Sequence, residues 1–174
     1  YDTEQYRAHV SHLLGKPKIV QNTNGSVDFV PVKHASGGWS TLEFRAYEQG
    51  RKAFQGTSRH FIWEDEEPPE KIHQENVQRG RGVDGRMLLT YTPLSGFTEV
   101  VNNFLRWEKA NKEGASRYTV FCDWDDVPHL DEDWKRQTLA ETPPYMRKAR
   151  KSGVPTAGLG MVYPVEEEAF VVKP

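Results

Sequence analysis

The sequence predicts an α/β fold resting on a mainly parallel sheet, and three observations lead there. Between residues 60 and 122, short apolar runs alternate with helix-length amphipathic stretches, the order of strands joined by helical crossovers. The 174 residues suit one domain, with enough chain to bury about two thirds of the unfolded surface. Apolar residues make up 36% and aromatic residues 11%, with five Trp, too many for a disordered polyampholyte of this charge content.

Taken in order, Tyr6, Val10, Leu13 and Leu14 fall at helical spacing within residues 2–14, with Asp2 as N-cap and Gly15 and Pro17 as the stop. Ile19-Val20 and residues 27–32 flank an Asn24-Gly25 turn and predict a hairpin. Leu42, Phe44 and Ala46 alternate with polar neighbours and predict a strand reaching Tyr47. His60 to Trp63 reads as a strand ending in Glu64-Asp65-Glu66-Glu67. Pro68-Pro69 then opens a helix whose buried stripe would be Ile72 and Val77. Residues 86–92 form the next strand, stopped by Pro93. Val100, Val101, Phe104 and Leu105 mark a helix with a Glu108–Lys112 pair on its outer face. A strand over 118–122, helices over 134–140 and 144–151, and a strand-like tail over 161–172 complete the series.

Composition narrows the chemistry. Lys and Arg number 23 against 25 Asp and Glu, a formal net charge of −2, which excludes a uniformly basic nucleic-acid wrapper but not a local basic patch. The single Cys122 allows no internal disulfide and no cysteine metal cluster, so a reducing compartment is expected. No apolar run approaches the roughly 20 residues that span a bilayer, and no membrane association is expected.

In a parallel sheet, ligands sit beyond the carboxyl ends of the strands. An apolar strand that ends in Asp-Glu delivers two carboxylates to that rim, one for a hydrated magnesium ion and one to orient and deprotonate water, which is the content of a Walker B element. On this pattern Asp65 is the metal residue and Glu66 the catalytic one. Glu64 sits where an apolar residue is more usual, so a frame shifted by one stays open. So does a plain solvated acidic turn before a helix N-terminus. Thr90 and Thr92 close the strand that lies 24 residues past Glu66, the span of one helix and two loops. Their hydroxyls would meet a terminal phosphate or the attacking water, or would simply cap a strand before the Pro93 to Gly96 turn.

Three blocks together carry a family resemblance: Phe44-Arg45-Ala46-Tyr47-Glu48-Gln49-Gly50 with Phe54-Gln55-Gly56; Phe61-Ile62-Trp63-Glu64-Asp65-Glu66-Glu67-Pro68-Pro69; and Thr90-Tyr91-Thr92-Pro93-Leu94-Ser95-Gly96. In order and spacing the chain resembles the large terminase subunit of tailed bacteriophages, most densely over 42–104. The resemblance implies a P-loop NTPase of the additional-strand, catalytic-glutamate type that uses ATP and Mg2+ to drive viral double-stranded DNA into a procapsid. It implies Asp65 on magnesium, Glu66 in catalysis, and Thr90, Thr92 and Pro93 coupling hydrolysis to domain movement. Residues 1–155 would be the C-terminal portion of the ATPase domain, and 156–174 the approach to a nuclease domain. A portal protein, a small terminase subunit and a homo-oligomeric ring are the implied partners, and the host bacterial cytoplasm, with transient docking on the procapsid, the implied location.

The 174 residues contain no Gly-x-x-x-x-Gly-Lys-Ser/Thr loop; the resemblance places it before Tyr1 and the nuclease carboxylates after Pro174. Arg79, in a cluster with Arg81 and Arg86, is a candidate finger on transition-state charge, in cis or in trans, or part of a solvated loop. Arg147, Lys148, Arg150 and Lys151 form a basic run that would meet DNA phosphates or stay an exposed helix face. His60 and His73 flank the carboxylates, but hard oxygen neighbours suit magnesium better than a transition metal. Two rival readings remain: a metal-dependent nuclease using Glu64, Asp65 and Glu66 directly, and an inactive truncated remnant.

Overall fold

A computed structural model describes residues 20–21, 25, 27–110 and 116–156, with the backbone alone at 107–110. The expected helix over 2–14, the Glu108–Lys112 pair and the strand over 161–172 lie outside the described residues. The chain divides into two compact units, one up to Gln55 and one from Gly56, a division not read from the sequence.

The first unit holds an antiparallel sheet of β1 (Val20–Gln21), β2 (Val27–Lys33) and β3 (Trp39–Glu43), in that order. The expected hairpin forms, with Gly25 at φ +79°, a left-handed turn that glycine adopts without a side-chain clash. Pro31 lies within the middle strand, where a missing N–H would normally cost a ladder bond. Its imide nitrogen faces the β1 side of β2, where, among the described residues, β1 pairs with Val27 and Phe29 and not with Pro31. β3 stops at Glu43 rather than Tyr47, and one further bond, Phe44 N–H to the Asp28 carbonyl (3.2 Å), follows its last pair, Phe29 with Glu43. Residues 47–49 and 51–54 form 3-10 turns instead.

The second unit is built around β4 (Phe61–Asp65) and β5 (Arg86–Thr90), paired in parallel and joined by helix α1 (Glu70–Arg81). Register sets Phe61 beside Arg86, Trp63 beside Leu88 and Asp65 beside Thr90. Side chains alternate along a strand, so Ile62, Glu64, Met87 and Leu89 share one face while Phe61, Trp63, Asp65, Leu88 and Thr90 share the other. The first face lies under α1; on the second, Phe61 and Trp63 are 60% and 61% exposed. At the crossover's return, a Cβ on Gly85 would collide with the Arg59 carbonyl, and only glycine fits.

Glu64 is 1% exposed and fully bonded: Asn76 Nδ2 donates to Oε1 at 2.7 Å, and His73 Nδ1 lies 2.8 Å from Oε2. The buried stripe of α1 is therefore Ile72, His73, Glu75 and Asn76, and not the expected Ile72 and Val77. A carboxylate on the strand demands partners from the helix above it, so polar residues occupy positions that periodicity assigns to the core.

Helix α2 (Glu99–Ala110) follows β5 and buries Val100 and Val101. The expected strand over 118–122 does not form. Tyr118 is 83% exposed, and no described strand lies alongside to complete a ladder, without which an extended apolar run gains nothing from being a strand. Two helices then appear where expected, α3 (Glu132–Glu141) and α4 (Pro144–Ser152), the latter ended by Gly153 at φ +64°. Trp124 and Trp134 rings pack 5.2 Å apart, and Lys151 Nζ reaches Asp125 Oδ2 at 2.8 Å and Asp123 Oδ1 at 3.6 Å.

Glu64→Ala leaves two buried donors facing nothing and is expected to cost about 2–4 kcal/mol in urea unfolding, whereas Glu64→Gln, which can still accept from Asn76, costs about 1 kcal/mol. Equal midpoints for Glu64→Ala and the parent would contradict this account of the β4–α1 layer.

Candidate functional site at the ends of the parallel strands

β4 and β5 end side by side, so their last residues, Asp65 and Thr90, are register partners at one rim. The Thr90 hydroxyl donates to Asp65 Oδ1 at 2.8 Å and accepts from Trp63 Nε1 at 2.7 Å. One residue on, Glu66 takes a left-handed backbone, φ 63°, and its N–H donates to the Thr90 carbonyl at 2.8 Å. A non-glycine residue held there costs on the order of 1–3 kcal/mol, and such strain concentrates at working sites. The turn ends the strand and carries Glu66 past the sheet edge beside Thr90.

The loops beyond the strands are tied as well. The Thr98 hydroxyl donates to Glu67 Oε1 at 2.5 Å and accepts from the Val101 N–H at 3.2 Å, capping α2. Between these ties run Thr92, which is exposed, and Pro93, which is buried. Tyr91 is raised above its ordinary pKa of 10.0, first by burial and then by the Glu67 charge.

Of the residues expected at the site, Asp65, Glu66 and Thr90 are brought together, with Thr92 and Pro93 on the loop just after β5. Glu64 is not among them. It turns to the opposite face and is sealed under α1, so Glu64, Asp65 and Glu66 do not converge on one rim. His73 bonds to Glu64 on the same covered face, away from Asp65.

Arg79 requires a correction. Its side chain pairs with Glu75 Oε1 at 3.1 Å, and its carbonyl accepts from the Arg59 N–H, just before β4 begins. A crossover helix runs back along the sheet, which places Arg79, Arg81 and Arg86 at the starting ends of the strands, about 13 Å or more from Asp65 at 3.3 Å per residue. Arg79 therefore cannot serve this rim in cis. The basic run on α4 is also divided. Arg147 Nε donates to the Thr142 carbonyl, and Lys151 is held by Asp125 and Asp123, while Lys148 is exposed. The hydrogen bond to Asp125, with both nearby carboxylates, raises the Lys151 pKa, and that to Lys151 lowers the Asp125 pKa.

The roles of Trp63, Glu67 and Thr98 were not anticipated. Thr98 just ahead of Glu99 carries an N-cap signal, but nothing in the sequence links it to Glu67, 31 residues earlier.

Because burial favours the neutral Tyr91 phenol, the native state gains stability that is intact below pH 10 and lost as pH rises through the raised native value. Tyr91→Phe should flatten the alkaline fall in melting temperature, and Glu67→Gln should bring Tyr91 ionisation, followed by ultraviolet absorbance, to lower pH. An unchanged alkaline profile in Tyr91→Phe would refute the assignment.

The family model for "Terminase large subunit, T4likevirus-type, N-terminal" matches residues 2–170. The terminase large subunit of Salmonella phage P22 is 35% identical over 153 residues, covering 85% of this chain and 30% of that protein. That of Enterobacteria phage LP7 is 29% identical over 106 residues, 61% of this chain and 21% of that protein. The chain thus spans less than a third of the curated relatives it matches. No solved structure matches it significantly. The chain belongs to the large terminase subunit family, within its T4likevirus-type N-terminal region.

Proposed function

We propose that this segment carries the hydrolytic carboxylates of a magnesium-dependent ATPase that drives viral double-stranded DNA into a procapsid, within a P-loop NTPase fold of the additional-strand, catalytic-glutamate type. The observation that carries the reading is the contact between the ends of β4 and β5, where Thr90 donates to Asp65 and Glu66 is pinned to the Thr90 carbonyl. A sheet rim bearing two successive carboxylates and a hydroxyl is the arrangement an outer phosphate and its attacking water require.

The donor set suits magnesium. Among the described residues no group of three or more His, Cys, Asp or Glu could hold a metal by itself. Magnesium commonly takes one or two protein carboxylates and completes its shell with water and substrate phosphates. Asp65 would hold it, and the ion would supply neutralisation of charge on the transferring phosphoryl group. Glu66 accepts the proton of the attacking water, and Thr90, Thr92 and Pro93, tied through Glu67 and Thr98 to α2, pass on the loss of the phosphate. ATP's phosphate loop comes from elsewhere in the polypeptide. Arg79 can act only on a neighbouring subunit of a homo-oligomeric ring. Portal protein and small terminase subunit are the proposed partners, on procapsids in the host cytoplasm. Among Arg147, Lys148, Arg150 and Lys151, the exposed Lys148 is the stronger candidate for DNA contact on α4. The nuclease alternative is disfavoured by the burial of Glu64.

In the full-length subunit, Glu66→Gln should lower kcat for ATP at least about a hundredfold while leaving nucleotide binding nearly unchanged. The 174 residues alone should turn over no measurable ATP. Full turnover by Glu66→Gln, or hydrolysis by the fragment that Glu66→Ala abolishes, would each refute part of the reading.

A further inference from the structure

Trp63 lies on the open face of β4, 61% exposed, two residues before Asp65 and on the same side. Its indole N–H is a donor only and cannot accept. By donating to Thr90 Oγ1 at 2.7 Å it occupies a lone pair of that hydroxyl and turns the single hydroxyl proton outward. That proton goes to Asp65 Oδ1, 2.8 Å away, an acceptor-only group when ionised. Direction is thus fixed along the whole chain, from indole to hydroxyl to carboxylate, and each link polarises the next. Without the indole, the Thr90 hydroxyl is free to rotate and to aim its proton elsewhere.

We infer that Trp63 is a positioning residue for the divalent-cation carboxylate: it acts through Thr90 to orient Asp65. This rests on the metal role proposed for Asp65 above. Hydrogen bonds to the carboxylates that ligate a metal typically change metal affinity or activity by about 10- to 100-fold when removed. Trp63 is two bonds away from the carboxylate, so its effect is wholly contained in the effect of Thr90. An exposed tryptophan kept only for packing has no such dependence.

The test is Mn2+ affinity of the full-length subunit in the presence of a non-hydrolysable ATP analogue, read by electron paramagnetic resonance, with a thermal melt of every variant. Trp63→Phe keeps an aromatic ring and removes the donor; Thr90→Val keeps shape and removes the hydroxyl; Thr90→Ser keeps the hydroxyl. Trp63→Phe and Thr90→Val should each weaken Mn2+ binding about tenfold. The double variant should bind no more weakly than Thr90→Val, and Thr90→Ser should retain affinity. Parental Mn2+ affinity in Trp63→Phe, with or without a lowered melting temperature, would overturn the inference and leave Trp63 a packing residue. So would full additivity, about a hundredfold loss in the double variant. If Trp63→Phe does not fold, Thr90→Val with Trp63 intact decides, since parental affinity there breaks the relay. Asp65→Asn separates the two levels. If it binds Mn2+ like the parent, the metal reading of Asp65 itself fails; if it abolishes binding while Trp63→Phe does not weaken it, only the inference fails.

Discussion

The two-residue period at the end of β4 is the constraint on which the rest of the second unit depends. Glu64 and Asp65 are chemically similar neighbours, yet the pleat sends them to opposite faces with opposite fates. Glu64 is sealed beneath α1 and satisfied by His73 and Asn76, while Asp65 reaches the rim and meets Thr90. A slip of one residue would exchange them, placing an unpartnered carboxylate under the helix at a cost of several kcal/mol. The buried polar cluster thus does more than join strand to helix: it fixes which carboxylate faces outward.

That register also explains how two loops far apart in sequence form one rim. The parallel pairing ends with Asp65 beside Thr90, and the Glu66 N–H extends it by one bond to the Thr90 carbonyl. Past this point Glu67 meets the Thr98 hydroxyl that caps α2. The chain after β4 is therefore connected to the chain after β5 by backbone and side chain. A change at the rim has a short physical route to a helix end.

The sheet has an uneven environment. α1 covers one face, whereas Phe61, Trp63 and Leu88 stand exposed on the other. Parallel sheets ordinarily bury both faces. The run from Tyr118 to Phe121 is similarly apolar and similarly exposed, with no described strand beside it. Both features accompany a chain that spans less than a third of its relatives.

Local sequence determined the pieces. Asn24-Gly25 specified a hairpin, Pro68-Pro69 a helix start and Gly153 a helix stop, because turn and cap chemistry acts over a few residues. The apolar run before Asp65 and the hydroxyls after Leu89 located both strand ends, and with them Asp65, Glu66 and Thr90, since period and spacing suffice for a strand-helix-strand unit. Only the tertiary structure decided which neighbour each end would have. It withheld a strand from residues 118–122 for want of a ladder partner and filled the stripe of α1 with polar residues to satisfy Glu64. It also carried Arg79 to the far end of the sheet, because a crossover helix must run back before the next parallel strand can begin. Periodicity reports which residues avoid water; it does not report what a buried carboxylate or an unpaired backbone will find when the chain closes on itself.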